Sequence, residues 1–541
     1  MIMNIRRILS PSLLVCTMLA LVRRVVSVPA VTEPVNGGAP NDDIDAESKA
    51  AGHRTSYEAI DAYVEREMRR LQMPGVSLAI VAGDQIVHLR GFGRVRPGGT
   101  APTPQTPFYI ASLTKSFIAL AVMQLVEAGK IELDAPVRRY LPWFRVADPR
   151  ASAQMTVRHL LHQTSGLPLS SGEMITADFD DSPDANERQA RALATLALTR
   201  PVGEAFEYSN TNYQLLGLVV EAVSGESHSD YIQRHIFTPL EMNNTYTTPD
   251  VAKQNGLVVG HRYWFGVPVA APDLPLPGGA LRATLVISTA EDLAHYLLAH
   301  LNGGHFRDVQ ILSSAGIDEL HRGAADFSAA GLGPIVQLLA RSFPLGQYAM
   351  GWCVDEIGRT RVVSHSGTFP DFAGYMALLP THKKGIVLLF NACHHWMNPV
   401  LAQFGAGATA LLAGESPAPG GPFALMPWVL RGQLLLPALQ ITGVAATMRL
   451  LWRWRRDPAS RPGERHAWRR HLLLPLISNL SLSALTLRSV LSRRRNYLWL
   501  YMPDYTWLAK TCGSFALVWS LLRTGLVLWA LRKLSRSSDH G

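Results

Sequence analysis

Phe108-Tyr109-Ile110-Ala111-Ser112-Leu113-Thr114-Lys115 leads into the apolar run Phe117-Ile118-Ala119-Leu120-Ala121-Val122-Met123. The run reads as a strongly apolar helix over residues 112–130. If Ser112 opens that helix, the i, i+3 spacing sets its hydroxyl and the Lys115 amine on one face. A serine hydroxyl is a weak nucleophile until a base takes its proton, and a helix N-terminus favours the negative charge that follows. The chain has eight lysines, and this is its only Ser-x-x-Lys. Alone, the tetrapeptide fits equally an exposed lysine on an ordinary first turn.

Working outward, Thr55 with Glu58 fits a capping box, and Ile60, Val64, Met68 and Leu71 follow at helical spacing up to Pro74-Gly75. Val76 to Val81 and Gln85 to Leu89, joined by Ala82-Gly83-Asp84, read as a hairpin. Toward the other end, Val362 to His365, Phe372 to Leu379 and Gly385 to Asn391 are strand candidates, with Pro380 and Lys383-Lys384 at a turn. Between these blocks the pattern is helical, over 112–130, 154–163, 186–199, 211–224 and 289–302. Strands at both ends and helices in the middle imply an α/β (α+β) fold. An antiparallel sheet is closed by N- and C-terminal pieces, flanked by helices, and interrupted by an all-helical insertion.

Two further motifs raise the value of the first. Tyr208-Ser209-Asn210 is the only Tyr-x-Asn among 15 tyrosines. A neighbouring buried ammonium favours the ionised phenol, which would let Tyr208 act as a base near neutral pH, while the Asn210 amide can hold Lys115 and a substrate amide or carbonyl. The third motif, Val363-Ser364-His365-Ser366-Gly367-Thr368, ends a strand candidate. Glycine there lets a substrate lie along the strand edge, and the Thr368 N–H can point at an oxyanion.

In this order Ser112/Lys115, Tyr208/Asn210 and His365/Gly367 resemble the serine β-lactamase and penicillin-binding-protein superfamily. The nearest branch is the class C-like one, with D,D-carboxypeptidases, D-aminopeptidases and family VIII esterases. The likeness spans about residues 55–412. Leu133-Asp134-Ala135-Pro136, Tyr140-Leu141-Pro142, His159 to Pro168, Ser288 to Leu293 and Gly351-Trp352 support it. It implies acyl transfer through an acyl-enzyme on an ester, a cell-wall D-peptide or a β-lactam. Ser112, Lys115 and Tyr208 would be catalytic; Asn210, His365, Ser366, Gly367 and Thr368 would bind substrate and oxyanion. No metal or other cofactor is called for. The chain departs from the pattern at His365, where many members carry lysine, and it lacks a class A-type deacylating glutamate, which argues against rapid β-lactam turnover.

The alternative reading is a catalytically silent, membrane-tethered binding or assembly module of the same fold. Retention of Ser112, Lys115, Tyr208 and Asn210 together argues against it. His394-His395 and the pair His159 and His162 read as structural rather than metal-binding. Trp352 and Phe369 fit cleft or core equally.

The formal net charge of +9 is unevenly spread. From residue 421 onward there are eighteen basic residues and four acids, whereas residues 31–420 hold twenty-nine basic residues and thirty-eight acids. The excess lies between apolar runs, which points to a lipid bilayer and not to nucleic acid. Runs at 429–452, 471–491 and 505–531 approach the roughly 20 apolar residues a spanning helix needs. The seven arginines of loop 453–470 place that loop in the cytoplasm, so the preceding domain faces the periplasm or exterior. Residues 1–30, with Arg6, Arg7 and the apolar run Leu13 to Val22, read as an export signal or N-terminal anchor. The expected organisation is therefore 1–30 signal or anchor, 50–413 hydrolase domain, 414–428 linker and 429–531 membrane region. With only four cysteines, a disulfide scaffold is excluded, and Cys353 and Cys393 read as buried free thiols.

Overall fold

The structure, a computed structural model, describes residues 45–180, 182–271, 285–326, 346–418, 422–457, 460, 468–491 and 495–535. The expected export signal over 1–30, with Cys16, lies outside them, as do residues 419–421 of the expected linker.

Helix α1 (Asp45–Leu71) precedes the hairpin β1 (Gly75–Ala82) and β2 (Gln85–Gly93). Because α1 already runs from Asp45, Thr55 and Glu58 lie inside it, and the capping box expected there marks no helix start. Helix formers such as Ala46, Glu47, Ala50 and Ala51 carry the helix upstream. The later strands are β3 (Ala325–Asp326), β4 (Gln347–Tyr348), β5 (Cys353–Ile357), β6 (Thr360–Phe369), β7 (Phe372–Leu379) and β8 (Lys384–Phe390). They form an eight-stranded sheet in the order β2-β1-β8-β7-β6-β5-β4-β3. Every neighbouring pair is antiparallel. N-terminal β1 thus pairs with C-terminal β8, with Val76 opposite Phe390, and closes the sheet as the strand pattern implies.

Side chains of a strand alternate between faces, and here both faces are covered. On one side Val76, Leu78 and Ile80 of β1, Ala373, Tyr375 and Ala377 of β7 and Ile386, Leu388 and Phe390 of β8 pack with α1 and α6 (Asn398–Leu412). On the other, Ala79, Val81, Met376, Leu378, Val387 and Leu389 join a core built on the helical region. That region contains α2 (Thr114–Glu127), α3 (Leu169–Thr176), α4 (Asn210–Ser224) and α5 (Ala290–Leu301). Eleven of the fourteen residues of α2 are buried, as its all-round apolarity requires. Trp352 is fully buried among His300, His321 and Tyr296, so it fills core. Cys353, Cys393 and Cys512 are free thiols.

Three helical stretches are long and apolar enough to cross a membrane: Met426–Arg456, Trp468–Leu491 and Pro503–Leu531. They contain α7 (Leu435–Arg456), α8 (Leu474–Leu491) and α10 (Pro503–Ser535), with the short α9 (Arg495–Tyr501) between the last two. Their ends dock on the sheet domain. Asp504, fully buried at the start of α10, accepts from Phe265 N at 3.0 Å and sits 3.0 Å from His394 Nε2. Leu498, Leu500, Tyr501 and Met502 pack on Ala177 just past α3. His394 and His395 are thereby accounted for as contacts with Asp504 and Tyr497. Among the described residues no cluster fit to hold a metal ion occurs.

Candidate active site

The nucleophile candidate is presented by a tight turn. Ala111 to Leu113 form one 3₁₀ turn, and α2 begins only at Thr114, so Ser112 sits just ahead of the helix it was expected to open. Ala111 has φ +52°, a left-handed conformation uncommon for a residue with a side chain and one held by its surroundings. Ser112 itself is half-buried, while Lys115 one turn on is fully buried.

Three side chains far apart in sequence meet at one oxygen. Lys115 Nζ lies 3.1 Å from Ser112 Oγ, and Tyr208 OH donates to the same oxygen at 3.0 Å. The Lys115 amine also sits 5.1 Å from the ring centre of Tyr208 and 5.7 Å from that of Tyr213. No carboxylate pairs with Lys115 among the described residues. Burial therefore disfavours its ammonium form and pulls its pKa down to about 7. A neutral amine at that distance can take the serine proton.

Tyr208 behaves differently from the sequence expectation. Its removal from water raises the phenol pKa, and the hydrogen bond to Ser112 lowers it only in part. The buried cation that was to favour the phenolate is itself easily neutralised, so desolvation wins. Tyr208 therefore stays a neutral phenol, and Lys115 is the more easily deprotonated of the two groups in contact with Ser112 Oγ.

The Tyr208 loop is pinned from below by the segment His159 to Pro168. Gln163 Oε1 accepts from Ser209 N at 2.9 Å and from Asn212 Nδ2 at 2.5 Å, and Glu207 N donates to Gln163 O at 2.9 Å. Ser209 Oγ reaches Pro168 O at 3.0 Å, and Tyr213 OH reaches Leu161 O at 2.9 Å. Segment His159 to Pro168 is thus the rest on which the second motif lies. Its sequence signal was present, but nothing in spacing alone says which loop it supports. Replacing Gln163 with Met removes a buried acceptor and leaves the Ser209 N–H unpaired. Such a loss costs about 1–3 kcal/mol, and a lower melting temperature with weaker ester hydrolysis is expected.

Asn210 opens α4, but its amide does not reach Lys115: Nδ2 donates to Thr176 Oγ1 at 3.1 Å. Its Oδ1 is buried without a partner in the described structure. The lysine's amine is turned to Ser112 instead.

The third motif lies on β6, beside the nucleophile. β5 pairs with β6 only as far as Ser364, so from His365 to Phe369 that edge of β6 has no strand partner among the described residues. Ser366 is exposed and Thr368 half-buried. Gly367 allows the approach: a Cβ there would lie 2.4 Å from Ile110 O and 3.0 Å from Ser112 N. His365 is buried, with Nδ1 2.7 Å from Ser366 O. Burial, helped by the Lys115 charge, lowers its pKa to about 3, so it is a neutral imidazole and no substitute for a lysine cation. Of the residues expected from the sequence, Ser112, Lys115 and Tyr208 are in direct contact, Gly367 lies against the Ser112 turn, and the Tyr348 ring stands between Tyr208 and His365.

The family model described as Beta-lactamase matches residues 60–406. The chain belongs to the beta-lactamase family. Protein flp of Staphylococcus aureus (strain MW2) is 28% identical over 342 residues, covering 62% of this chain and 63% of that protein. The beta-lactamase-family chain thus spans less than two thirds of the length of that relative. Penicillin-binding protein 4 of Amycolatopsis lactamdurans is 29% identical over 323 residues, covering 59% of this chain and 81% of its own. The octameric penicillin-binding protein homologue from Pyrococcus abyssi superposes with a TM-score of 0.57 at 28% identity, over 68% of this chain and 80% of that one. The family match ends before the three apolar helices, which are an addition to the beta-lactamase core.

Proposed function

We propose that this beta-lactamase-family chain is a membrane-anchored serine hydrolase that works on the extracytoplasmic side through an acyl-enzyme. The observation that carries this reading is the double contact at Ser112 Oγ, one from Lys115 Nζ and one from Tyr208 OH. A fold that only binds has no physical need to bury an unpaired amine against a serine hydroxyl.

In the first step Ser112 Oγ attacks the substrate carbonyl as its proton passes to neutral Lys115. The N–H groups of Ser112 and Thr368 stabilise the oxyanion, each donor contributing about 3–4 kcal/mol in comparable sites. Tyr208 then donates its proton to the leaving atom and is reprotonated from Lys115. Water, activated by the same amine, cleaves the ester on Ser112. Asn210 and His365 orient the substrate, which lies along the free edge formed by Ser366 and Gly367. No step draws on a metal or other cofactor. The unpartnered Asn210 Oδ1 favours a substrate with an amide N–H near the reacting carbonyl, as in a cell-wall D-peptide or a β-lactam; a small ester uses the remaining contacts.

The arginines Arg453, Arg455, Arg456, Arg469 and Arg470 flank the gap between the first two apolar helices and support a cytoplasmic side there. Residues 50–413 would then form the exported hydrolase domain, 414–428 its tether and 429–531 the membrane region.

The test is mass-spectrometric mapping of adducts on the full chain after exposure to a fluorophosphonate, a penicillin, a D-Ala-D-Ala peptide and a p-nitrophenyl ester. An adduct on Ser112 is expected. Modification elsewhere, or none with any reagent, overturns the assignment. The base assignment has its own signature. Below about pH 7 Lys115 is an ammonium and cannot accept a proton, so kcat/KM for a neutral ester should rise with pH through about 7 and then level off. A rate that instead falls across that range would remove Lys115 as the base.

A further inference from the structure

A second buried polar cluster lies within the apolar helices, away from the site above. Arg523 on α10 is eight residues short of the end of the span Pro503–Leu531 and only 8% exposed. Its Nε donates to Thr447 Oγ1 of α7 at 3.1 Å, and its Nη1 to the His471 carbonyl oxygen at 2.5 Å. Both acceptors are neutral, and no acidic side chain pairs with Arg523 among the described residues. The two bonds occupy two of a guanidinium's five N–H donors. An ionised side chain at this depth is costly, and a residue retained there marks a place where a ligand or partner meets it.

Arg523 lines a cavity of about 520 Å³ between α7, α8 and α10. The α7 wall runs from Leu436 to Leu450, a rise of about 21 Å along the helix, and Leu482 and Trp519 face it from the other two helices. Two polar side chains of the lining are already tied to backbone, Gln440 Nε2 to Cys512 O and Asn479 Nδ2 to Pro475 O. The cavity is thus long and apolar, with one uncompensated cation toward one end. That end is where Arg449, Arg453, Arg469 and Arg470 gather.

We infer that this cavity is a binding site for an anionic phospholipid, its phosphate on Arg523 and one acyl chain along α7. A guanidinium fork matches phosphate geometry, and basic pockets between membrane helices recognise acidic headgroups. A zwitterionic headgroup brings its own cation to the same place and gains less. The site is independent of the hydrolase reading.

The full chain, placed in nanodiscs of mixed phosphatidylglycerol and phosphatidylcholine, is extracted in mild detergent, and retained lipid is counted by native mass spectrometry. Phosphatidylglycerol should be enriched about tenfold or more over phosphatidylcholine, the scale of one charged hydrogen bond. Arg523→Gln should abolish the enrichment. Arg523 also holds Thr447 and the His471 carbonyl, so a second variant decides the matter should that one misfold. A Cβ at Gly443, which lines the cavity, meets nothing within 4 Å, so Gly443→Leu projects into that open space. It should expel the lipid with Arg523 in place. Equal retention of both lipids by the intact chain, or phosphatidylglycerol enrichment that survives in a folded variant, overturns the inference.

Discussion

Changing Ser112 to Ala or Lys115 to Met is expected to drop kcat/KM for a p-nitrophenyl ester to one common floor, about 10⁴-fold or more below the intact chain. The double variant should fall no further. Residues that act as a unit lose their whole contribution when either is removed, so their effects do not add. The geometry makes these two a unit: the amine is 3.1 Å from the hydroxyl, and no carboxylate among the described residues holds it elsewhere. Methionine fills the buried slot of Lys115 without its proton-accepting nitrogen, so stability is not expected to fall with activity. Lys115 already bears the cost of burial, which is why its pKa drops to about 7. Losses that multiply in the double variant would show that Lys115 acts apart from Ser112, as an electrostatic neighbour and not as its base.

Much of this was legible in the sequence, and the reasons differ by element. The sheet could be read because β1, β7 and β8 are apolar runs bounded by turn residues, and their order at the two ends of the chain forced the closure. The three motifs could be read because serine with lysine at i+3, tyrosine with asparagine at i+2, and glycine at a strand end are rare combinations with separate chemical reasons. What escaped was the state of each group. Whether Tyr208 ionises is decided by desolvation, which depends on how the fold buries it beside the Tyr348 ring and not on the motif. Gln163 escaped because a buried amide gains its meaning only from the loop it meets, forty-six residues away at Ser209. The start of α1 escaped because a capping pair can occur inside a helix whose upstream residues are themselves good formers.

Gly367→Ala should lower kcat/KM by about 10²-fold or more, although only a methyl group is added. The new Cβ would lie 2.4 Å from Ile110 O, 3.0 Å from Ser112 N and 3.2 Å from Ala111 Cβ. The first two are backbone atoms of the turn that presents the nucleophile, so no flexible side chain can move aside. The turn is already held at φ +52° at Ala111 and cannot yield without shifting Ser112. Either β6 moves away from the turn or the turn moves away from Lys115 and Tyr208. A displacement of about 1 Å between reacting groups commonly costs 10²-fold in rate. Overpacking of this kind costs the fold about 1–3 kcal/mol, so the melting temperature should fall only modestly. Ser366→Ala, one residue away on the exposed face of β6, adds no atoms and should leave the melting temperature unchanged. The two variants, compared by thermal melting and by fluorophosphonate labelling rate, separate position from stability. Full labelling of the glycine variant at the intact rate would mean that β6 does not set the place of Ser112, and the oxyanion role given to Thr368 would lose its support.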